Sequence, residues 1–280
     1  MRNAKGLRLA AALALALATA TAAPGATNVF SDLDLGPAGA LVGDGNDLWQ
    51  IGGRFDNAST NPAYNVLAST FEFTGTAGHD LEQAGRDRGP RWSALTNNWG
   101  FGTLRIPTGT VTVVDNRANS AGPDAVYAAA LSGGGTLVVG AGMVFYFGST
   151  SAWSGVVLTS GGGVFRPLLA DLGDADGDGV NNGNEIDCGT DPTNALSYLH
   201  ISAFAQSVTN VNVTWTTVGG KGYIVQAAPL LTGDPAVNFT NVTGTVTASG
   251  TGESVTNAWI SGTPTNVSPR FFRIQLAPAP

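Results

Sequence analysis

The chain has 280 residues, 39 of them glycine, with 12% charged residues and a formal net charge of −7. Nucleic acid and anionic lipid are bound by clustered Lys and Arg, so an acidic chain with few cations is a poor partner for either, and no nucleic-acid binding is expected. A single cysteine, Cys188, excludes an internal disulfide framework.

The first residues point to export. Arg2, Lys5 and Arg8 form a basic start, residues 9–18 (LAAALALALA) an apolar core, and Ala-x-Ala patterns end at Ala20 and Ala22. That is the pattern of a secretory signal peptide over 1–22, well short of the ~20 apolar residues of a membrane helix. Cleavage after Ala20 or Ala22 is expected, with secretion or display at the cell surface. No later segment reads as a membrane span, so none is expected in the mature chain.

Residues 23–170 are rich in Gly, Thr, Val and Asn, a composition of short strands and tight turns. Within them GTLRIPTGTVTVV (102–114) aligns with GTLVVGAGMVFYF (135–147), and a weaker copy, GVVLTSGGGVF (155–165), follows. One strand–turn–strand unit cannot bury its own apolar face, whereas stacked units share a continuous core. A short β-solenoid is expected over 65–169, with a flat multi-stranded sandwich as the alternative. Glu72, Asp80, Glu82 and Asp87 form the densest acidic group here; Glu72, between Phe71 and Phe73, reads as solvent-facing. His79 beside Asp80 reads as surface structure.

The segment 171–195 is a different material, with seven acids and no Lys or Arg between 171 and 191. In DADGDGVNNGNE (174–185), Asp174, Asp176 and Asp178 alternate, Gly179 permits a sharp turn, and Glu185 closes the run at position twelve. Alternate carboxylates converge on a point, the Val180 carbonyl and Asn182 add oxygens, and Glu185 binds bidentately, which together meet the six to eight oxygens of Ca²⁺. Without the ion the segment is expected to be an extended linker; with it, a fixed junction between domains. Cys188 reads as a small space-filling residue beside this loop.

Residues 196–280 alternate apolar and polar positions between turn signals. Val211, Val213 and Trp215 share one face, as do Tyr223 and Val225 after a GGKG turn, and His200 reads as part of the first strand. Six or seven strands in about 80 residues suggest a small β-sandwich. The fold class is therefore all-β: solenoid, calcium loop, sandwich.

Three stretches carry a resemblance. DADGDGVNNGNEIDCGTDPTN (174–194) resembles the thrombospondin type-3-like calcium segments of secreted bacterial proteins, which implies Ca²⁺ on Asp174, Asp176, Asp178 and Glu185, with Asn182 as an extra ligand. Asn181 departs from EF-hand loops, which carry an aliphatic residue there. The flanks are too short and too rich in Gly and Pro for a helix pair, which argues for a structural site rather than a sensor. VTWTTVGGKGYIVQAA (213–228) with RFFRIQL (270–276) is similar to the fibronectin-III-like modules that end many exported surface proteins. Residues 85–131 look like a segment of autotransporter-like β-helical surface proteins, a likeness that implies architecture and location only.

The sequence shows no nucleophile elbow and no cluster of zinc ligands among its two histidines. A non-catalytic exported structural or binding protein is expected, with extracellular polysaccharide or cell-surface components as partners. The alternative is a polysaccharide-acting enzyme, a glycoside hydrolase or lyase, or a fragment of one.

Overall fold

The structure, a computed structural model, describes residues 20–21, 25–116, 124–207, 210–229, 238–261 and 271–278. The expected leader, residues 1–22, lies outside them except for Ala20–Thr21, which pairs in parallel with Leu41–Val42. Among the described residues no helix is long and apolar enough to cross a membrane. The chain forms two compact units, Met1–Ala170 and Asp171–Pro280.

The first unit is a parallel β-solenoid of about six turns. Successive strands go alternately to two sheets. One is six-stranded and runs from Leu33–Leu35 to Val156–Thr159; the other is seven-stranded and runs from Thr27–Phe30 to Val164–Pro167. The solenoid thus begins well before residue 65. Each coil sends its inward residues onto the equivalent residues of its neighbours. Trp49, Phe71, Leu104 and Leu131 stack in one sheet, and Leu33, Phe55, Leu81, Val113 and Val139 in the other. All nine are buried in one cluster, which is how units unable to fold singly acquire a core.

The internal repeat marks this architecture, but one of its two offsets is out of phase. The copies at 135–147 and 155–165 are true neighbours, since Leu137 pairs with Val157 and Val144 with Val164. The copies at 102–114 and 135–147 are not. Leu104, in the seven-stranded sheet, stacks on Leu131, while Leu137, in the six-stranded sheet, stacks on Val111. The alignment slid by half a coil because strands of both sheets carry the same inward-apolar alternation.

Two glycines are required where the coil is irregular. Gly133 adopts φ +109° at the end of Ala125–Gly133, and a Cβ there would lie 2.1 Å from the Ile106 carbonyl oxygen. A Cβ on Gly102 would lie 2.2 Å from the Leu67 oxygen, where Val66–Phe73 shifts register against Phe101–Arg105.

Residues 85–100 leave the coil and lie over the outer side of the seven-stranded sheet, around a 3₁₀ turn at Trp92–Leu95. Ala94 and Leu95 pack with Tyr127, Tyr146 and Leu168. Tyr127 and Tyr146 stack at 4.8 Å. The Tyr127 hydroxyl accepts from Arg88 N at 2.8 Å and donates to the Gly89 oxygen, and the Tyr146 hydroxyl donates to Asp87 Oδ1 at 2.9 Å. Burial pushes both phenols up in pKa.

The second unit holds two antiparallel sheets. Ile201–Gln206, Asn210–Val218 and Glu253–Ser261 form one; Gly222–Ala228, with Thr240–Asn241, Val246–Thr247 and Phe271–Leu276, forms the other. The GGKG turn therefore crosses from sheet to sheet. Trp215 and Tyr223, one on each sheet, meet edge to face at 6.4 Å inside a common core with Val211, Val213, Val225 and Ile260. Trp215 is a core residue, as its phase implied. His200 lies just before the first strand, and its ring packs on Tyr198 at 4.3 Å.

Candidate metal centre

The acidic loop folds by turning each aspartate back onto its own backbone. Asp174 accepts from Gly177 N at 2.7 Å and from Gly179 N at 2.9 Å. These bonds, that from Gly179 foremost, hold its carboxyl below the usual range. Asp176 Oδ1 accepts from Asp178 N at 3.2 Å and Asp178 Oδ1 from Val180 N at 2.8 Å. Gly177 and Gly179 have φ of +79° and +93°, a region other residues enter at a cost. The second oxygens, Asp176 Oδ2 and Asp178 Oδ2, are left buried and without a protein partner.

The result is an arrangement able to hold a metal ion. One oxygen from each of Asp174, Asp176 and Asp178 lies within 4.8 Å of the others, the one such group among the described residues.

Glu185 completes the electrostatics. Its residue is 0% exposed, and neither carboxylate oxygen has a hydrogen-bond partner in the protein. Burial, then the charges of Asp176, Asp178 and Asp174, push its pKa up to about 7. The ionised form of a buried, unpaired carboxylate near other negative charges is disfavoured, and either a proton or a bound cation relieves it.

A helix that the sequence reading did not contain presents Glu185. Asn182–Cys188 is capped by Asn181, whose side chain accepts from Asn184 N at 2.8 Å. This accounts for the departure at Asn181: an aliphatic residue there has no oxygen to cap a helix. Gly189, at φ +81°, ends the helix. The cap pattern was legible, but seven residues are too few for helical periodicity to show.

Val180 and Asn182 are placed differently from the carboxylates. Val180 follows Gly179 in the turn and donates its N–H to Asp178. Asn182 is 3% exposed; its N–H donates to the Gly173 oxygen at 2.7 Å, and its Oδ1 accepts from Ala175 N at 3.0 Å. It ties the start of the loop to the helix.

Beyond the helix the segment is fastened to the sheets of its own unit. Lys221 Nζ donates to the Asp187 oxygen at 2.7 Å. The Ser197 hydroxyl donates to Glu253 and accepts from Asp191 N, and Thr216 Oγ1 donates to the Tyr198 oxygen at 2.7 Å. Cys188, the last helical residue, is half-buried, and burial raises its thiol pKa.

The other candidate groups part company. His79 is 2% exposed, with Nδ1 3.0 Å from the Gly53 oxygen and its ring on Phe73. It faces the solenoid core in register with Val111, while Asp80 is exposed on the opposite side; the reading of His79 as a surface residue is corrected. Glu72 is likewise not solvent-facing. It lies between Gln50 and Arg105 of the adjacent coils, accepting from Gln50 Nε2 at 2.8 Å and pairing with Arg105 Nη1 at 3.1 Å. Strand alternation gave its side of the sheet correctly, but neighbouring coils cover that side. Glu82 is 3% exposed and Asp87 is engaged by Tyr146.

Compared with known proteins, the chain matches no family description, no curated protein and no solved structure.

Proposed function

We propose that the chain is an exported, non-catalytic surface or extracellular protein with a structural and binding role, stiffened by Ca²⁺ in the segment 171–195. Asp174, Asp176, Asp178 and Glu185 are the acidic ligands, the Val180 carbonyl and Asn182 the neutral ones. The observation that carries the metal site is Glu185, a fully buried carboxylate with two unpartnered oxygens that feels the charges of three convergent aspartates. In this reading residues 174–194 are thrombospondin type-3-like, the strands after them fibronectin-III-like, and the solenoid akin to those of autotransporter-like surface proteins. Polysaccharide or cell-surface components are the partners.

Isothermal titration tests the metal. The parent should take up Ca²⁺ at one site or more, and Asp176→Ala with Glu185→Ala should abolish that uptake. Mg²⁺ should compete poorly, because it demands a tight octahedron and gives up its waters reluctantly. A double variant that binds Ca²⁺ as well as the parent would show that the ligands lie elsewhere.

Export is tested separately. The secreted protein, sequenced from its N-terminus, should begin near Thr21 or Ala23. Intact Met1 protein held in the cytoplasm would refute export.

A further inference from the structure

The sheet formed by Ile201–Gln206, Asn210–Val218 and Glu253–Ser261 has two unlike faces. Its inner face gives Val211, Val213, Trp215 and Ile260 to the core. On its outer face, register places Ala205, Asn212 and Trp259 in one row and Ala203, Thr214 and Asn257 in the next. Trp259 is 63% exposed, whereas Trp215 of the same sheet is 0% exposed. In the first row an indole thus stands on one side and a short alanine on the other, with an amide between; the second row runs from alanine through a hydroxyl to an amide. Thr216 and Val255 form a third row, and Val255 is 64% exposed.

Charge narrows what such a face can recognise. The rows of Trp259 and Asn257 carry no ionisable residue, and in the third row Thr216 is bonded across the strands to His200. Glu253, one row further, is tied to Ser197. On the first two rows an anionic or cationic ligand would find no counter-charge. An uncharged sugar ring offers the complementary chemistry: an apolar C–H face to lie on the indole, and a rim of hydroxyls that both donate and accept. Asn212, Asn257 and Thr214 also do both.

We propose that the outer face of this sheet binds an uncharged polysaccharide, with Trp259 as the stacking platform and Asn212, Thr214 and Asn257 as hydrogen-bonding neighbours. The proposal rests on the binding role given above and names its ligand class. It places recognition on the C-terminal unit rather than on the solenoid.

Native electrophoresis of the mature protein in gels containing hydroxyethylcellulose, galactomannan or arabinoxylan tests it, with polygalacturonate as the charged counterpart and Ca²⁺ present throughout. At least one neutral polymer should retard the parent. Trp259→Ala should weaken that retardation on the order of tenfold or more, Trp259→Phe less, and Trp92→Ala, at an exposed indole of the other unit, not at all. Unchanged circular dichroism and Ca²⁺ titration of the Trp259 variants would show that their fold is intact. Retardation by polygalacturonate alone, by none of the polymers, or equally for parent and Trp259→Ala would overturn the proposal. So would a parent dimer that Trp259→Ala converts to monomer in sedimentation, since the face would then be occupied by a second copy. A parent that binds Ca²⁺ but no neutral polymer refutes this proposal alone; one that is retarded but binds no Ca²⁺ refutes the metal reading alone.

Discussion

Phe71→Ala should destabilise the solenoid by about 3–5 kcal/mol while leaving the unfolding of the C-terminal unit where it was. Phe71 sits mid-stack, its ring 5.0 Å from those of Phe55 and Phe101 and 6.2 Å from that of Trp49. Removing it opens a cavity that touches both sheets and two neighbouring coils. In a stacked array each coil is stabilised mainly by its neighbours, so damage to an inner coil weakens the contacts on both sides of it. Calorimetry should resolve two transitions in the parent, one for each compact unit, and the variant should move only one. If both shift together, the units unfold as one and the division at residue 170 has no thermodynamic meaning. A shift of neither would mean that the stack is not continuous through Phe71.

The solenoid was legible because its information is local and repeated. Alternation in segments such as TLVV and VVLT names the inward residues, and the glycines between them name the turns. Coil phase was not legible, since nothing in GTLRI or GTLVV says which of two similar sheets it joins. Depth was also hidden. Glu72 alternates with phenylalanines as a solvent-facing residue does, yet Gln50 and Arg105 from neighbouring coils close over it. His79 and Asp80 are adjacent in sequence and on opposite sides of a strand. Burial of this kind comes from chain tens of residues away, which no window on the sequence contains. The acidic loop was legible for the opposite reason: its turns are made by side chains two to five residues from the backbone they bind. What spacing did not reveal was the helix that buries Glu185, which is what raises its pKa beside the aspartates. Trp259 was missed because its strand, ESVTNAWI, gives no hint of which residues stand beside it on the strands it pairs with.

Chelation should open the acidic segment to proteases and make the stability of the C-terminal unit fall with rising pH; Ca²⁺ should reverse both effects. In the metal-free protein Glu185 holds its proton up to about pH 7, whereas a freely exposed glutamate loses it near 4.5. Between those values the folded state binds more protons than the unfolded one. Stability is therefore undiminished below about 4.5, declines as pH rises through the window, and is lowest above 7. Calcium inverts the sign, because the ionised carboxylate is the ligand and binding expels the proton. At a free Ca²⁺ concentration a hundred times Kd, the bound form gains ~2.7 kcal/mol, enough to suppress opening roughly a hundredfold. Thermal midpoints of the C-terminal transition, taken from pH 5 to 8, should fall in chelator and hold in millimolar Ca²⁺. Glu185→Gln should flatten the chelator profile and weaken calcium binding. Proteolysis in chelator should cut between about Leu172 and Asn194, most readily in the ion loop itself, since Lys221, Ser197 and Thr216 fasten the stretch beyond the helix to the sheets. The solenoid and the two-sheet part of the second unit should survive as folded fragments. A chelator profile as flat as that of Glu185→Gln would show that the four carboxylates are not in conflict, and equal cleavage with and without calcium would show that the ion does not hold the segment.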